Sequence, residues 1–231
     1  MFNSRLSIRD SRFHVSTPML DAQLEATSLG VIIVGANPRL SKEWYEESYS
    51  GDKGSSTPSC FSLDGQTPNE KSKLPQNDLC ASCPQNAWGS RLTPEGRKIK
   101  ACSDQKRLAL VMADKVGGEV YLLKVTPASL SNLNNYQKTL MTRGIAPEIA
   151  VTTVSFDTDV RFPKLKFAFG GFVDANAQHV VDKLIGSDDV KIITGELAYA
   201  SGQIPTASDF GFGEEVGFIQ TKHELGGSND D

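Results

Sequence analysis

All four cysteines of the chain fall between Cys60 and Cys102, in the pattern C-x19-C-x2-C-x18-C. No other feature constrains the fold as much. Two thiols separated by two residues reach one ion from a tight turn, and two distant thiols complete a tetrahedral set of the kind zinc prefers. Cys60, Cys80, Cys83 and Cys102 are therefore expected to hold a structural zinc ion. Only one of the pairs is close, whereas the usual zinc patterns carry two close pairs. Unligated thiols, a redox Cys80-Ala81-Ser82-Cys83 pair and a disulfide stay open beside zinc. A site closed by four protein ligands leaves no position for water, which argues against metal catalysis.

At 231 residues the chain can bury a core of its own. Hydrophobic residues are 39%, with 20 Gly and 11 Pro, which suits a β-rich fold with long loops. The net charge of −4 speaks against a nucleic-acid partner, but the charge is unevenly placed. Arg91, Arg97, Lys98, Lys100, Lys106 and Arg107 face only Glu95 and Asp104 within 91–107, a net of +4. Residues 204–231 carry six acids (Asp209, Glu214, Glu215, Glu224, Asp230 and Asp231) against Lys222, a net of −5. Such asymmetry predicts a basic binding face and an acidic tail, with two ordinary solvated surfaces as the alternative. The opening residues do not resemble a signal peptide, and no stretch approaches the ~20 apolar residues of a membrane span. A soluble, intracellular protein is expected.

Along the chain, 1–28 is polar and ambiguous, with a start signal at Ser16-Thr17-Pro18. Leu29–Gly35 is a β-branched run that predicts a buried strand. Residues 50–79 are rich in Gly, Ser, Pro and Asn, a loop long enough to need pinning, as a metal at Cys60 would do. Arg107–Ala113 and Val120–Val125 read as a hairpin around Gly117-Gly118. Thr126-Pro127 opens a helix with Leu130, Leu133, Tyr136 and Leu140 on one face, closed by Arg143-Gly144. Ile149–Asp157 and Lys164–Phe172 form a second hairpin, and Leu165, Phe167 and Phe169 share one face. Asp174 caps a second helix that ends at Gly186. Val190–Ile193 reads as a short strand or as part of that helix. Residues 201–231 are expected to be a flexible tail. The order matches an OB-fold, a five-stranded barrel with a helix after its third strand. Residues 1–200 would be one such domain, with an insertion over 50–106.

Basic residues against phosphates give affinity without reading sequence, and aromatic rings add base stacking. Trp88, near Arg91, and Tyr121, on a predicted strand, are the leading stackers. Trp44, Tyr45 and Tyr49 follow in a charged context. Core or rim packing is the alternative for each. His14, His179 and His223 have no evident catalytic partners. The deaminase, phosphate-loop and nucleophile-elbow signatures are absent. Asp157, Asp159 and Asp188-Asp189 are the acids a metal-dependent nuclease would use, although turns commonly hold such pairs.

Leu79-Cys80-Ala81-Ser82-Cys83-Pro84-Gln85-Asn86-Ala87-Trp88-Gly89-Ser90-Arg91, then Lys100-Ala101-Cys102-Ser103-Asp104 and Arg107-Leu108, resembles the bacteriophage single-stranded DNA-binding proteins of phage replication modules. The resemblance implies an OB-fold, sequence-independent binding of single-stranded DNA in replication or recombination, no catalysis, and a place in the bacterial host cytoplasm. It also implies an acidic tail that meets replication proteins. Here the tail ends Asn229-Asp230-Asp231, where many end in an aromatic residue. A metal-dependent nuclease and a zinc-stabilised protein-interaction module are the rival readings.

Overall fold

The structure is a computed structural model that describes residues 4–46 and 58–196. Tyr49, His223, residues 50–57 of the insertion and the expected tail over 201–231 lie outside the described residues. In chain order the elements are β1 (Arg5–Arg9), β2 (Arg12–Ser16), β3 (Asp21–Gln23), β4 (Ser28–Ala36), β5 (Ser41–Trp44) and β6 (Cys60–Ser62). There follow β7 (Arg91–Leu92), β8 (Lys98–Ile99), β9 (Ser103–Met112), β10 (Tyr121–Val125) and α1 (Pro127–Thr142). The chain continues through β11 (Ala150–Phe156), β12 (Leu165–Phe172), α2 (Ala175–Leu184) and α3 (Asp188–Thr194).

The protein is mainly β with three helices among its described residues, an α+β arrangement built on one curled sheet. The strand order is β12-β11-β4-β9-β10-β1-β2-β3, with β5 joined to β9 and β6 to β5. Neighbours are antiparallel except β1 and β10, which run parallel. Four strands separate β2 from β11 in this order, yet the rings of Phe13 on β2 and Phe156 on β11 lie 4.6 Å apart between centroids. Only a sheet curled into a half-barrel brings them together, as accumulated right-handed twist allows.

The concave side holds Leu6, Phe13, Val31, Leu108, Leu110 and Leu123, and α1 closes it with Leu133, Tyr136 and Leu140. These three helix residues follow the predicted apolar face, and each fully buried leucine contributes about 2 kcal/mol. Tyr136 keeps its hydroxyl satisfied on Thr152 Oγ1 at 2.7 Å. The convex side holds Ile32, Val34, Ala109 and Val111 under Val181 of α2 and Val190 and Ile193 of α3. Strand β9 is thus apolar on both faces, which explains its unbroken run from Leu108 to Val111. Gly35 permits the close seat of α3: a Cβ there would stand 2.4 Å from Val190 Cγ1.

Several expectations change. Among the described residues the sheet has ten strands rather than five, because the polar residues 5–23 form β1–β3 and because β5 and β6 join it at β9. Their turn puts Asp10 and Ser11 at φ 49° and 55°, the left-handed pair of a tight two-residue hairpin. Residues 188–194 form a third helix, separate from α2 and neither a strand nor its extension. Ser187 caps it through the Val190 amide, and Gly186 at φ 70° breaks the chain before it. Asp174 caps α2 as expected, accepting from the amides of Asn176 and Ala177 at 2.9 and 3.0 Å. Thr126 stands at the first cap of α1, but its side chain makes no capping bond.

Candidate nucleic-acid interface

Strands β4 and β5 pair in succession with the same edge of β9, and the chain bends at Asn37 between them. Asn37 is fully buried. Its amide donates to the Arg107 carbonyl at 3.0 Å, and its Oδ1 accepts from the Arg107 amide at 2.7 Å. A side-chain oxygen thus supplies the ladder bond that the bend removes. Beyond it, β5 and β6 pair through Lys42 with Ser62, Glu43 with Phe61 and Trp44 with Cys60, and so carry the cysteine segment out from the sheet.

Cys60 sits on β6. Cys80 and Cys83 flank a turn in which the Cys83 amide donates to the Cys80 carbonyl at 3.3 Å. A short 3-10 turn, Pro84–Asn86, follows, and the Cys102 amide donates to the Gln85 carbonyl at 2.8 Å. Asn86 Nδ2 closes the turn on the Cys80 carbonyl at 2.9 Å. All four cysteines line one small cavity of about 10 Å3, with Lys42 and Trp44 beside them. They form no disulfides. Burial pushes the Cys102 thiol up to about 12 and raises Cys80 as well. Among the described residues, no three or more His, Cys, Asp or Glu side chains meet metal-holding geometry. The donor chemistry still fits zinc: four soft thiols border one space of atomic size, and a cation, Lys42, stands next to it.

From this base projects the β7–β8 ribbon, with Arg91 paired to Ile99 and Leu92 to Lys98. Gly89, at φ 87°, donates to the Ile99 carbonyl at 3.1 Å, and the Lys98 stem crosses its face 3.4 Å from where a Cβ would stand. Trp88 is therefore turned out and 72% exposed, with exposed Arg97 and Lys98 on the same ribbon. Arg91 is half-buried and donates from Nη2 to the Tyr45 carbonyl at 3.1 Å. Lys100 bonds Asp104 at 2.9 Å, and Lys42 pairs with the same carboxylate. The structure thus brings Trp88, Arg91, Arg97 and Lys98 together, with Lys100 at their base.

Other expected residues lie elsewhere. Lys106 is 5% exposed and donates to the Asn37 carbonyl at 2.5 Å, and burial lowers its pKa to about 8. Arg107 is half-buried on the convex face, where Nε donates to the Ile193 carbonyl at 2.8 Å. Trp44 packs beside the cysteine cavity. Tyr45 donates to Glu43 Oε2 at 2.9 Å, and burial together with that carboxylate raises its pKa. Tyr121 packs half-buried against the concave core. Of the four described aromatics singled out, Trp88 alone stands mostly in solvent.

Two acids of the nuclease reading, Asp157 and Asp159, are held by lysines. Asp157 pairs with Lys166 at 2.8 Å and Lys164 at 3.3 Å, and Asp159 with Lys166 at 3.4 Å. Asp188 and Asp189 occupy the first turn of α3, where helix polarity favours negative charge. His14 lies on β2 and His179 on α2.

Sequence reasoning passed over Glu43. It is buried and accepts from Lys124, from Tyr45 and from Gln105 Nε2 at 3.1 Å. Burial pushes its carboxyl up, but the Lys124 charge and the three bonds outweigh that and hold it below the usual range. Its position inside the charged run Lys42–Glu47 concealed it, because charged runs ordinarily mark solvent-facing surface. No helix among the described residues is long and apolar enough to cross a membrane. No family model, curated protein or solved structure matches this chain.

Proposed function

We propose that this protein binds single-stranded DNA without sequence preference and without catalysis, serving phage replication or recombination. The observation that carries the reading is Trp88. An indole 72% exposed, set by Gly89 and flanked by Arg91, Arg97 and Lys98 on a braced ribbon, suits base stacking beside phosphate contacts. The curled half-barrel with α1 following β10 is compatible with an OB-type barrel enlarged by β1–β3. Lys106, Trp44, Tyr45 and Tyr121 then serve the scaffold.

Zinc would be held by Cys60, Cys80, Cys83 and Cys102, and it would supply a structural crosslink that fixes the ribbon. A tetrathiolate zinc centre carries a net charge of −2, which the neighbouring Lys42 would partly offset. The acidic tail would compete with DNA for the basic surface or recruit replication proteins. Deleting 204–231 is then expected to tighten oligo-dT binding at low salt, and unchanged binding would end the competition idea.

The direct test is tryptophan fluorescence on adding oligo-dT across a salt series, in wild type and Trp88→Ala. Quenching in wild type that weakens with salt, together with a lower affinity of the variant for labelled oligo-dT measured by anisotropy, supports stacking and phosphate contact together. Leu92, 60% exposed on the same ribbon, favours a second reading, a protein-interaction module. That reading predicts no salt-dependent affinity for oligo-dT.

A further inference from the structure

Strand β4 pairs with β11 only from Ser28 to Ile32, where Ile32 meets Val151. It runs on to Ala36, and Ile33, Gly35 and Ala36 stay paired with β9 on the other side. The pairing stops because β11 begins at Ala150, after a 3-10 turn over Pro147–Ile149. Proline has no amide hydrogen to give to a ladder, so the chain leaves the sheet there. Among the described residues, the outer edge of Ile33–Ala36 therefore has no strand beside it. At about 3.3 Å per residue, this bare edge is about 13 Å long.

The edge lies in an apolar groove. Ile33 and Gly35 of β4, Tyr136 and Leu140 of α1, Pro147 and Ile185 border a cavity of about 210 Å3. Ile185 borders it while 43% exposed. The volume is several times that of a water molecule, about 30 Å3, so a phenyl ring fits. An unpaired strand edge beside an apolar pocket suits an extended peptide: main-chain bonds give affinity, and alternate side chains fill the pocket. Left bare, such an edge invites pairing between molecules.

The chain itself supplies an occupant. Helix α3 ends against the groove, with Thr194 Cγ2 3.3 Å from where a Cβ on Gly35 would stand. The described residues stop two positions later, at Glu196. Further on, Val216-Gly217-Phe218-Ile219-Gln220-Thr221 joins β-branched and aromatic residues without proline, the composition of a strand. Phe210 and Phe212, by contrast, alternate with Gly211 and Gly213, which strands disfavour. Residues 197–215, at about 3.3 Å each when extended, can reach several times the length of the groove.

We propose that residues 216–221 of this chain add a strand to β4 at Ile33–Ala36 and seat Phe218 in the cavity between Tyr136, Leu140 and Ile185. The proposal does not depend on the DNA reading. It gives the acidic tail an apolar anchor and leaves Glu224, Asp230 and Asp231 beyond that anchor.

The test compares the full chain with Phe218→Ala, by hydrogen exchange and by NMR, with melting temperature checked for both. The amides of 217–221 and the outward amides of Ile33–Ala36 should exchange about tenfold more slowly in wild type than in Phe218→Ala. The wild-type Phe218 ring should show nuclear Overhauser contacts to the methyls of Leu140 and Ile185. Contacts and protection that survive dilution support docking within one chain. Protection that falls on dilution, with a dimer in sedimentation, assigns the groove to a second copy and overturns the proposal. Unprotected 216–221 in wild type, or exchange at 33–36 that ignores Phe218→Ala, overturns it too. Oligo-dT takes no part, so failure of the groove and failure of the DNA reading are told apart.

Discussion

Arg91 donates from Nη2 to the Tyr45 backbone carbonyl at 3.1 Å, and this bond ties the tip of the cysteine segment to β5 across 46 positions of sequence. The ribbon therefore has two supports, its cysteine-bearing base and this tether. Removing the tether should loosen the ribbon while the sheet stays intact. For Arg91→Ala we expect a local loss of about 1 kcal/mol, less than a fully buried charged bond because the site is half-exposed. Hydrogen exchange at the Gly89 and Thr93 amides, whose acceptors are Ile99 and Arg97, should quicken by about fivefold. Equal exchange in both proteins would mean that the base alone sets the ribbon.

Trp88→Ala should separate binding from stability. The indole is mostly in solvent, so its removal should shift the melting temperature little. Stacking is worth about 1–3 kcal/mol per base, so oligo-dT affinity should fall by about fivefold to 150-fold. A variant that binds as tightly as wild type would assign the exposed indole to some other partner.

The parts of the fold that were legible in the sequence are those where one local signal sufficed. The apolar face of α1, the Asp174 cap, the alternation along β12 and the double-sided apolar run of β9 each follow from a few adjacent residues. Strands β1–β3 were not legible. They are short, carry Arg5, Arg9, Arg12, His14 and Asp21, and gain order by pairing with β10, more than a hundred residues away. The site divides in the same way. The exposure of Trp88, Arg97 and Lys98 was legible because a loop of that composition stands in solvent. Lys106 was misleading because two charged neighbours in a strand point to opposite faces, and only the sheet decides which one is buried.

Asn37 offers a test of the bend that carries the cysteine segment. In Asn37→Ala the Arg107 amide loses its acceptor in a buried place, which costs about 1–3 kcal/mol. Urea unfolding should show the lower midpoint with an unchanged slope. A neutral result would require the β4–β5 bend to have closed into a regular ladder.

The cysteine cavity predicts a metal-dependent unit. Purified protein should contain about one equivalent of zinc, and Cys83→Ser should release it. Loading should displace protons, since buried Cys80 and Cys102 hold theirs in the metal-free state. Chelation should quicken exchange over 60–102 more than in the sheet. A metal-free protein with full melting temperature would leave four structural thiols packed without a ligand.

Asp157 sets an acid limit on the hairpin of β11 and β12. Its bond to Lys166, then the Asp159 amide and Lys164, outweigh burial and hold its carboxyl down at about 2. The unfolded carboxyl titrates near 3.8, so the folded state prefers the ionised form. The resulting stability is present above pH ~4 and is lost as pH falls towards ~2. Asp157→Asn removes the charge at every pH, so its melting temperature should lie below wild type at pH 5–7. The two should converge below pH ~2, where the wild-type carboxyl is protonated as well. Thermal melts at several pH values decide it: a gap that persists at the lowest pH would assign the effect to lost hydrogen-bond geometry and leave the Lys164 and Lys166 charges without a part in it.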